Sequence, residues 1–244
     1  MESLFKLLFM KTCILLLSGC LAIGIYAKAQ TTEASKPSQK IIRTYDQYAR
    51  LVKRQPDQLL IDLSAYIRAV DIRMPYAGTD NFTHQKLYPF AKAFLKVHAA
   101  SALRAAANDL ISKGYGLIIY DAYRPYSVTR RMWKFEPDAD YAANPKTGSD
   151  HNRGIAVDIG LYSLKSRQDV AMPSTFDSFS DSAHIDYNAL PDSVIANRSL
   201  LQQVMMAHGF KPLRTEWWHF SLQDTVSYPL MDVSFETVEK ELRH

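Results

Sequence analysis

The chain has 244 residues, 47% of them hydrophobic and 22% charged, which suits one globular domain of about 200 residues with a substantial core. Its formal net charge is +4, and Lys6, Lys11 and Lys28 against Glu2 account for +2 of that, leaving +2 after Ala29. That residue of charge is too small to suggest a nucleic-acid partner. Both cysteines, Cys13 and Cys20, fall within the first 29 residues, so the rest of the chain has neither disulfides nor thiol chemistry.

Residues 1–29 read as a signal peptide. Lys6 and Lys11 precede an apolar run from Thr12 to Tyr26, and Ala27-Lys28-Ala29 offers a small-x-small cleavage pattern. Leu17-Ser18-Gly19-Cys20 resembles a bacterial lipobox, which would make Cys20 a lipid anchor. The apolar run continues to Ile25, which favours cleavage after Ala29. The run is short for a ~20-residue span, so no stable membrane span is expected, and the domain is expected to be exported to the periplasm. Residues 30–40 are polar and read as a disordered lead-in, leaving residues 41–244 as the single folded domain.

Residues 41–68 have a mixed pattern compatible with helix or loop. Residues 71–76 read as a short strand, followed by a turn at Gly78-Thr79-Asp80-Asn81. The strongest helix signal spans residues 89–113: Phe90, Phe94, Val97, Leu103, Ala107 and Leu110 recur near a period of 3.6, between Pro89 and Gly114. Residues 115–120 are β-branched and read as a buried strand ending in Asp121-Ala122-Tyr123-Arg124-Pro125. A helix over 125–136 and a loop over 137–148 follow. Residues 154–161 form a strand, 162–190 a long irregular region, 197–208 an amphipathic helix closed by Gly209, and 216–222 a last strand.

The chemistry concentrates at Ser149-Asp150-His151-Asn152-Arg153-Gly154-Ile155-Ala156-Val157-Asp158. An acid inside a buried-strand composition is costly unless it is paired or bound to a metal. A straight strand puts residues seven apart on opposite faces, but a glycine hinge lets His151 and Asp158 converge. Each alone could be structural; together they favour metal ligation. Glu216-Trp217-Trp218-His219-Phe220 supplies a second imidazole and a spare carboxylate, completing the inventory of a catalytic zinc site. On a regular strand, Glu216 and His219 would not share a face, so both reaching one cavity requires a bend or bulge. Arg124 is evenly balanced between a functional role and a salt bridge, with Asp121 as the natural partner. The remaining histidines, His84, His98, His184, His208 and His244, have no ligand-like context.

Asp121-Ala122-Tyr123-Arg124-Pro125, the Ser-x-His-x-Arg-Gly-x-Ala-x-Asp pattern at 149–158 and Glu216-Trp217-Trp218-His219 resemble the VanX-type D-alanyl-D-alanine dipeptidases. The similarity extends through Tyr76–Phe82, Met172–Phe179 and Tyr228–Phe235, covering most of residues 70–235. The resemblance implies zinc peptidases of hedgehog-like fold, with one zinc per chain bound by His151, Asp158 and His219. Glu216 would be the general base, Arg124 would stabilise the oxyanion, and Ser149, Asp177 and Tyr76 would hold the ammonium of a D-Ala-D-Ala dipeptide. Phe176 and Phe179 would shield Asp177. Asp150 and Asn152 stand where many relatives have serine, and Asp150 would add negative charge near the mouth.

The fold expected from these elements is α+β: a central, mainly antiparallel sheet from strands near 71–76, 116–121, 154–161 and 216–222. Helices 89–113 and 197–208 pack on it, with zinc in a groove between long loops. Two other functions compete with the dipeptidase: a D,D- or L,D-carboxypeptidase acting on larger wall peptides, and a zinc-containing wall-binding module without catalysis. The presence of both Glu216 and Arg124 argues against the last.

Overall fold

The computed structural model describes residues 41–138 and 142–243. The expected leader with its Cys20, the lead-in and His244 lie outside the described residues. In chain order the elements are α1 (Tyr45–Arg54), β1 (Leu60–Asp62), α2 (Leu63–Tyr66), β2 (Val70–Ile72), β3 (Phe94–Lys96), α3 (Val97–Ser112), β4 (Tyr115–Asp121) and α4 (Tyr126–Met132). Then come α5 (Asp150–Arg153), β5 (Ala156–Ser163), α6 (Asp192–Ala207), β6 (Phe210–Leu213), β7 (Glu216–Leu222) and α7 (Phe235–Glu241).

Five strands form the main sheet in the order β2-β4-β5-β7-β6. The β2–β4 pairing is parallel and the other three are antiparallel, so the architecture is α+β with a mainly antiparallel sheet. The central strand β5 is buried along nearly its whole length, which its unbroken apolar composition requires. α3 buries Ala99, Ala100, Leu103, Ala106, Ala107 and Leu110. The four alanines among them let the helix lie close to β4.

The helix expected over 89–113 begins only at Val97. Phe94 to Lys96 instead form β3, paired antiparallel with β1 from Leu60↔Lys96 to Asp62↔Phe94. The backbone there is already committed: Tyr123 N donates to Phe94 O (2.8 Å) and Lys96 N to Gly154 O (2.8 Å). Three non-local pairings outweigh the local periodicity of Phe90 and Phe94. The helix expected over 125–136 ends at Met132, with Pro125 as its N-cap. The strand expected over 71–76 gives way after Ile72 to a 3-10 turn at Pro75–Ala77. β1, β3 and β6 had no counterpart in the sequence reading.

Two register breaks shape the sheet. β4 and β5 pair Ile119↔Ile159 but then Asp121↔Asp158, leaving Tyr120 as one extra residue on β4. β6 and β7 pair Pro212↔Phe220 but then Leu213↔Glu216, leaving residues 217–219 unmatched on β7. Such bulges bend strands and re-aim side chains. With Asp158 opposite His219 across β5–β7, three polar residues (Asp121, Asp158 and His219) line up in one row across three strands.

Candidate active site

α5 is a single helical turn built to place His151. Ser149 caps it by accepting from His151 N (3.1 Å), and Asn152 Oδ1 accepts from Ser149 N (2.9 Å), a reciprocal capping box. Asn152, fully buried, donates through Nδ2 to Arg124 O and Thr129 Oγ1, both at 2.8 Å. It thereby brackets the turn to the exit of β4. Gly154 ends the turn at φ 71°, and a Cβ there would come within 2.8 Å of Leu60 Cδ2. Both the left-handed backbone and the close packing call for glycine.

This turn and the β5–β7 pairing bring three ligand atoms together. His219 Nδ1 lies 3.0 Å from Asp158 Oδ1, His151 Nε2 lies 3.3 Å from the same oxygen, and the two ring nitrogens are 3.1 Å apart. The far nitrogens are engaged: His151 Nδ1 contacts Ala122 O at 2.7 Å and His219 Nε2 contacts Ser221 Oγ at 3.1 Å. If those nitrogens carry the protons, as the Ala122 carbonyl demands of His151, three lone pairs converge with no proton between them. Such a set calls for a cation. Tetrahedral bonds of ~2.0–2.1 Å imply donor separations of about 3.3–3.4 Å, close to those seen, and the partnered far nitrogens fix the ring orientations. The donor set therefore fits a zinc ion.

Around this centre lies a cavity of about 340 Å³ whose walls include Tyr76, Arg124, Ser149, Asp177 and Glu216 beside the three ligand candidates. The site residues expected from sequence are thus all brought together. The bend required by the Glu216/His219 spacing is the β6–β7 register break, which leaves a Glu216 oxygen 3.8 Å from His219 Nδ1. Burial pushes the Glu216 carboxyl up to about 8, with His219 opposing. Burial would raise Asp158 too, but His151 and His219 outweigh it and hold that carboxyl well below the usual range.

Arg124 meets both sequence readings at once. Its Nε and a terminal nitrogen bind Asp121 Oδ2 at 2.8 and 2.6 Å, and a terminal nitrogen stands 4.0 Å from Asp158. It also lines the cavity. Asp121 is completely buried and accepts two further bonds on Oδ1, from Tyr88 Oη (2.8 Å) and Ala122 N (2.9 Å). Sequence reasoning saw Asp121 only as a salt-bridge partner and missed Tyr88 and the bracket made by Asn152. The spacing Asp-x-x-Arg signals the salt bridge, whereas Tyr88 and Asn152 reach the site from 33 and 28 positions away.

Asp177 sits at φ 58°, a left-handed conformation that costs a non-glycine residue energy and often marks a functional position. Tyr76 Oη donates to its Oδ2 at 2.6 Å. Burial pushes the Asp177 carboxyl up to about 7, against the lowering effect of Tyr76. Its shielding differs from expectation. Phe176 is half-buried, between Tyr120 and Trp218 and edge-on to Tyr76, whereas Phe179 is 38% exposed and packs on Phe82. Asp150 lies between the wall residues Ser149 and His151 without itself lining the cavity, with one carboxylate oxygen 3.8 Å from Arg153 Nε. Away from the site, His98 pairs with Asp224 and His208 with Asp109, each at 2.7 Å.

Residues 57–240 match the family described as D-ala-D-ala dipeptidase. A D-alanyl-D-alanine dipeptidase of Escherichia coli is 34% identical over 176 residues, covering 72% of this chain and 91% of that one. Another, from Enterococcus faecalis, is 31% identical over 169 residues, covering 61% and 84%. Among solved structures, the vancomycin-resistance D,D-pentapeptidase VanY in complex with Zn(II) is 15% identical, covering 53% of this chain and 73% of its own, with a TM-score of 0.35. That likeness is too distant to bear on the site. The family match spans three quarters of the chain and takes in every residue of the cavity wall, so the chain belongs to the D-ala-D-ala dipeptidase family of peptidases.

Proposed function

We propose that this protein hydrolyses the free D-alanyl-D-alanine dipeptide with one zinc ion held by His151, Asp158 and His219. The observation that carries the reading is the convergence of three acceptor atoms 3.0–3.3 Å apart, with a fourth carboxylate, Glu216, in the same cavity. Zinc bound there would lower the pKa of a water toward ~7 and polarise the peptide carbonyl. Glu216 takes the proton of the attacking water and delivers it to the leaving amine, from its position in the same cavity as the three ligand candidates. Arg124, aimed by Asp121, faces the developing oxyanion, where one such donor is worth roughly 3–4 kcal/mol. Asp177, oriented by Tyr76, pairs with the substrate ammonium together with Ser149, which lines the same cavity.

Family membership supports the dipeptide over a longer wall peptide, as does the placement of Asp177. A half-buried carboxylate with a single tyrosine partner favours a free amine and penalises a blocked one, which would leave it unpaired. The polar-flanked apolar leader further supports an exported, periplasmic enzyme. The test compares D-Ala-D-Ala, its N-acetyl derivative and a tripeptide, with and without chelator. The dipeptide should be the best substrate by far, and Asp177→Asn should narrow its lead over the acetylated form. Equal or faster cleavage of the acetylated substrate by the wild type would reject the dipeptidase in favour of a carboxypeptidase.

A further inference from the structure

We infer that Arg214 recognises the C-terminal carboxylate of the substrate. This rests on the dipeptidase reading and concerns the end of the substrate which that reading leaves unassigned. A free dipeptide is a zwitterion, and Asp177 accounts only for its ammonium. The cavity wall holds three carboxylates, Asp158, Asp177 and Glu216, and two guanidinium groups, Arg124 and Arg214. With zinc and Arg124 engaged at the reacting carbonyl in that reading, an anionic substrate end entering among three acids is favoured where a further cation meets it. Arg124 is committed, with its Nε and a terminal nitrogen on Asp121. Arg214 is not: among the described residues its guanidinium has no hydrogen-bond or ion-pair partner, although it lies on the cavity wall.

Its placement fits the role. Arg214 and Thr215 make the turn of the β6–β7 hairpin, directly before Glu216. The register break that presents Glu216 also fixes this turn, since Leu213 pairs with Glu216 and Ile185 N donates to Arg214 O at 2.9 Å. The backbone of Arg214 is therefore held while its exposed side chain stays free at the mouth. With the ammonium bound at the half-buried Asp177, the carboxylate end is left for the exposed Arg214 on the same cavity wall. A planar guanidinium can take a carboxylate through two parallel bonds, which a lysine cannot.

Steady-state kinetics on D-Ala-D-Ala and D-alanyl-D-alaninamide decide the matter, using the full chain as wild type, Arg214→Gln and Arg214→Lys. The wild type should prefer the free acid. Arg214→Gln should raise KM for the acid about tenfold, as expected for one exposed charge-assisted contact, with kcat less affected because the carboxylate takes no part in the bond change and is held alike in ground and transition states. The amide should be unaffected, so the preference collapses; Arg214→Lys should recover part of it. An unchanged acid-over-amide preference in Arg214→Gln would overturn the inference, as would an equal loss of kcat on both substrates, which would mark a disturbed hairpin. If the wild type cleaves only acetylated peptides, the dipeptidase reading fails instead, and the same acid–amide comparison on those peptides still decides the role of Arg214.

Discussion

Replacing Asp121 with asparagine tests whether the row of polar residues across β4, β5 and β7 works as a unit. The carboxylate takes four bonds, two from Arg124 on Oδ2 and one each from Tyr88 and the Ala122 amide on Oδ1. An asparagine retains only one oxygen. If that oxygen keeps Tyr88 and Ala122, its amide group faces the guanidinium, donor against donor; if it turns, the clash moves to the Ala122 N–H. Breaking one partner of a buried pair costs about 3–5 kcal/mol, and Asp158 at 4.0 Å still offers Arg124 partial compensation. The expected loss is therefore near the lower end, ~3 kcal/mol, or a melting point roughly 6–12 °C lower for a domain of this size. With Arg124 no longer aimed, kcat should fall by about 10²–10³. Asp121→Asn/Arg124→Ala should then be no slower than Arg124→Ala alone, because the two residues act through one donor. Retention of kcat within about threefold by Asp121→Asn, or additive losses in the double variant, would refute a positioning role.

Metal content measured on His151→Ala and His219→Ala should fall well below one zinc per chain, whereas Glu216→Ala should keep its zinc and lose turnover by at least 10²–10⁴-fold; zinc lost with the glutamate would make Glu216 a ligand. Lys96 is fully buried, with its Nζ bonded among the described residues to Gln58 O and Met231 Sδ, and burial pushes its pKa down to about 7 from 10.5. Between those values the unfolded chain binds the extra proton, so this group's destabilisation is full below pH 7 and is relieved as pH rises toward 10.5. Chemical denaturation of wild type and Lys96→Met should show the variant gaining most, relative to wild type, at pH 7 and least near pH 10; a pH-independent difference would contradict it.

What the sequence made legible is what short stretches can carry. A glycine hinge and an acid in an apolar run are local signals, and they located His151 and Asp158 on either side of Gly154. The requirement of a bend between Glu216 and His219 was likewise local, because strand geometry forbids their meeting without one. Residues 89–96 were misread because Phe90 and Phe94 satisfy a helical period by chance, while the partners that hold Phe94 and Lys96 extended (Leu60, Tyr123 and Gly154) lie 29 or more positions away. No window of the sequence contains that information.

The same limit explains why Asp121 was undervalued. Without the extra residue at Tyr120, the β4 residue facing Asp158 would be Tyr120 itself, and Asp121 would point to the other face of the sheet. Gly160 makes room for the displaced ring: a Cβ there would come within 2.6 Å of Tyr120 Oη. A glycine on β5 thus helps decide which side chain of β4 faces Asp158, and through Asp121 it fixes the direction of Arg124. The residue types needed for the chemistry can be read from the chain, but whether they meet depends on strand register. Gly160→Ala, which touches no group in the cavity, should therefore slow turnover through Arg124 and leave zinc content unchanged; unaltered kcat in a folded Gly160→Ala protein would show that the register holds without it.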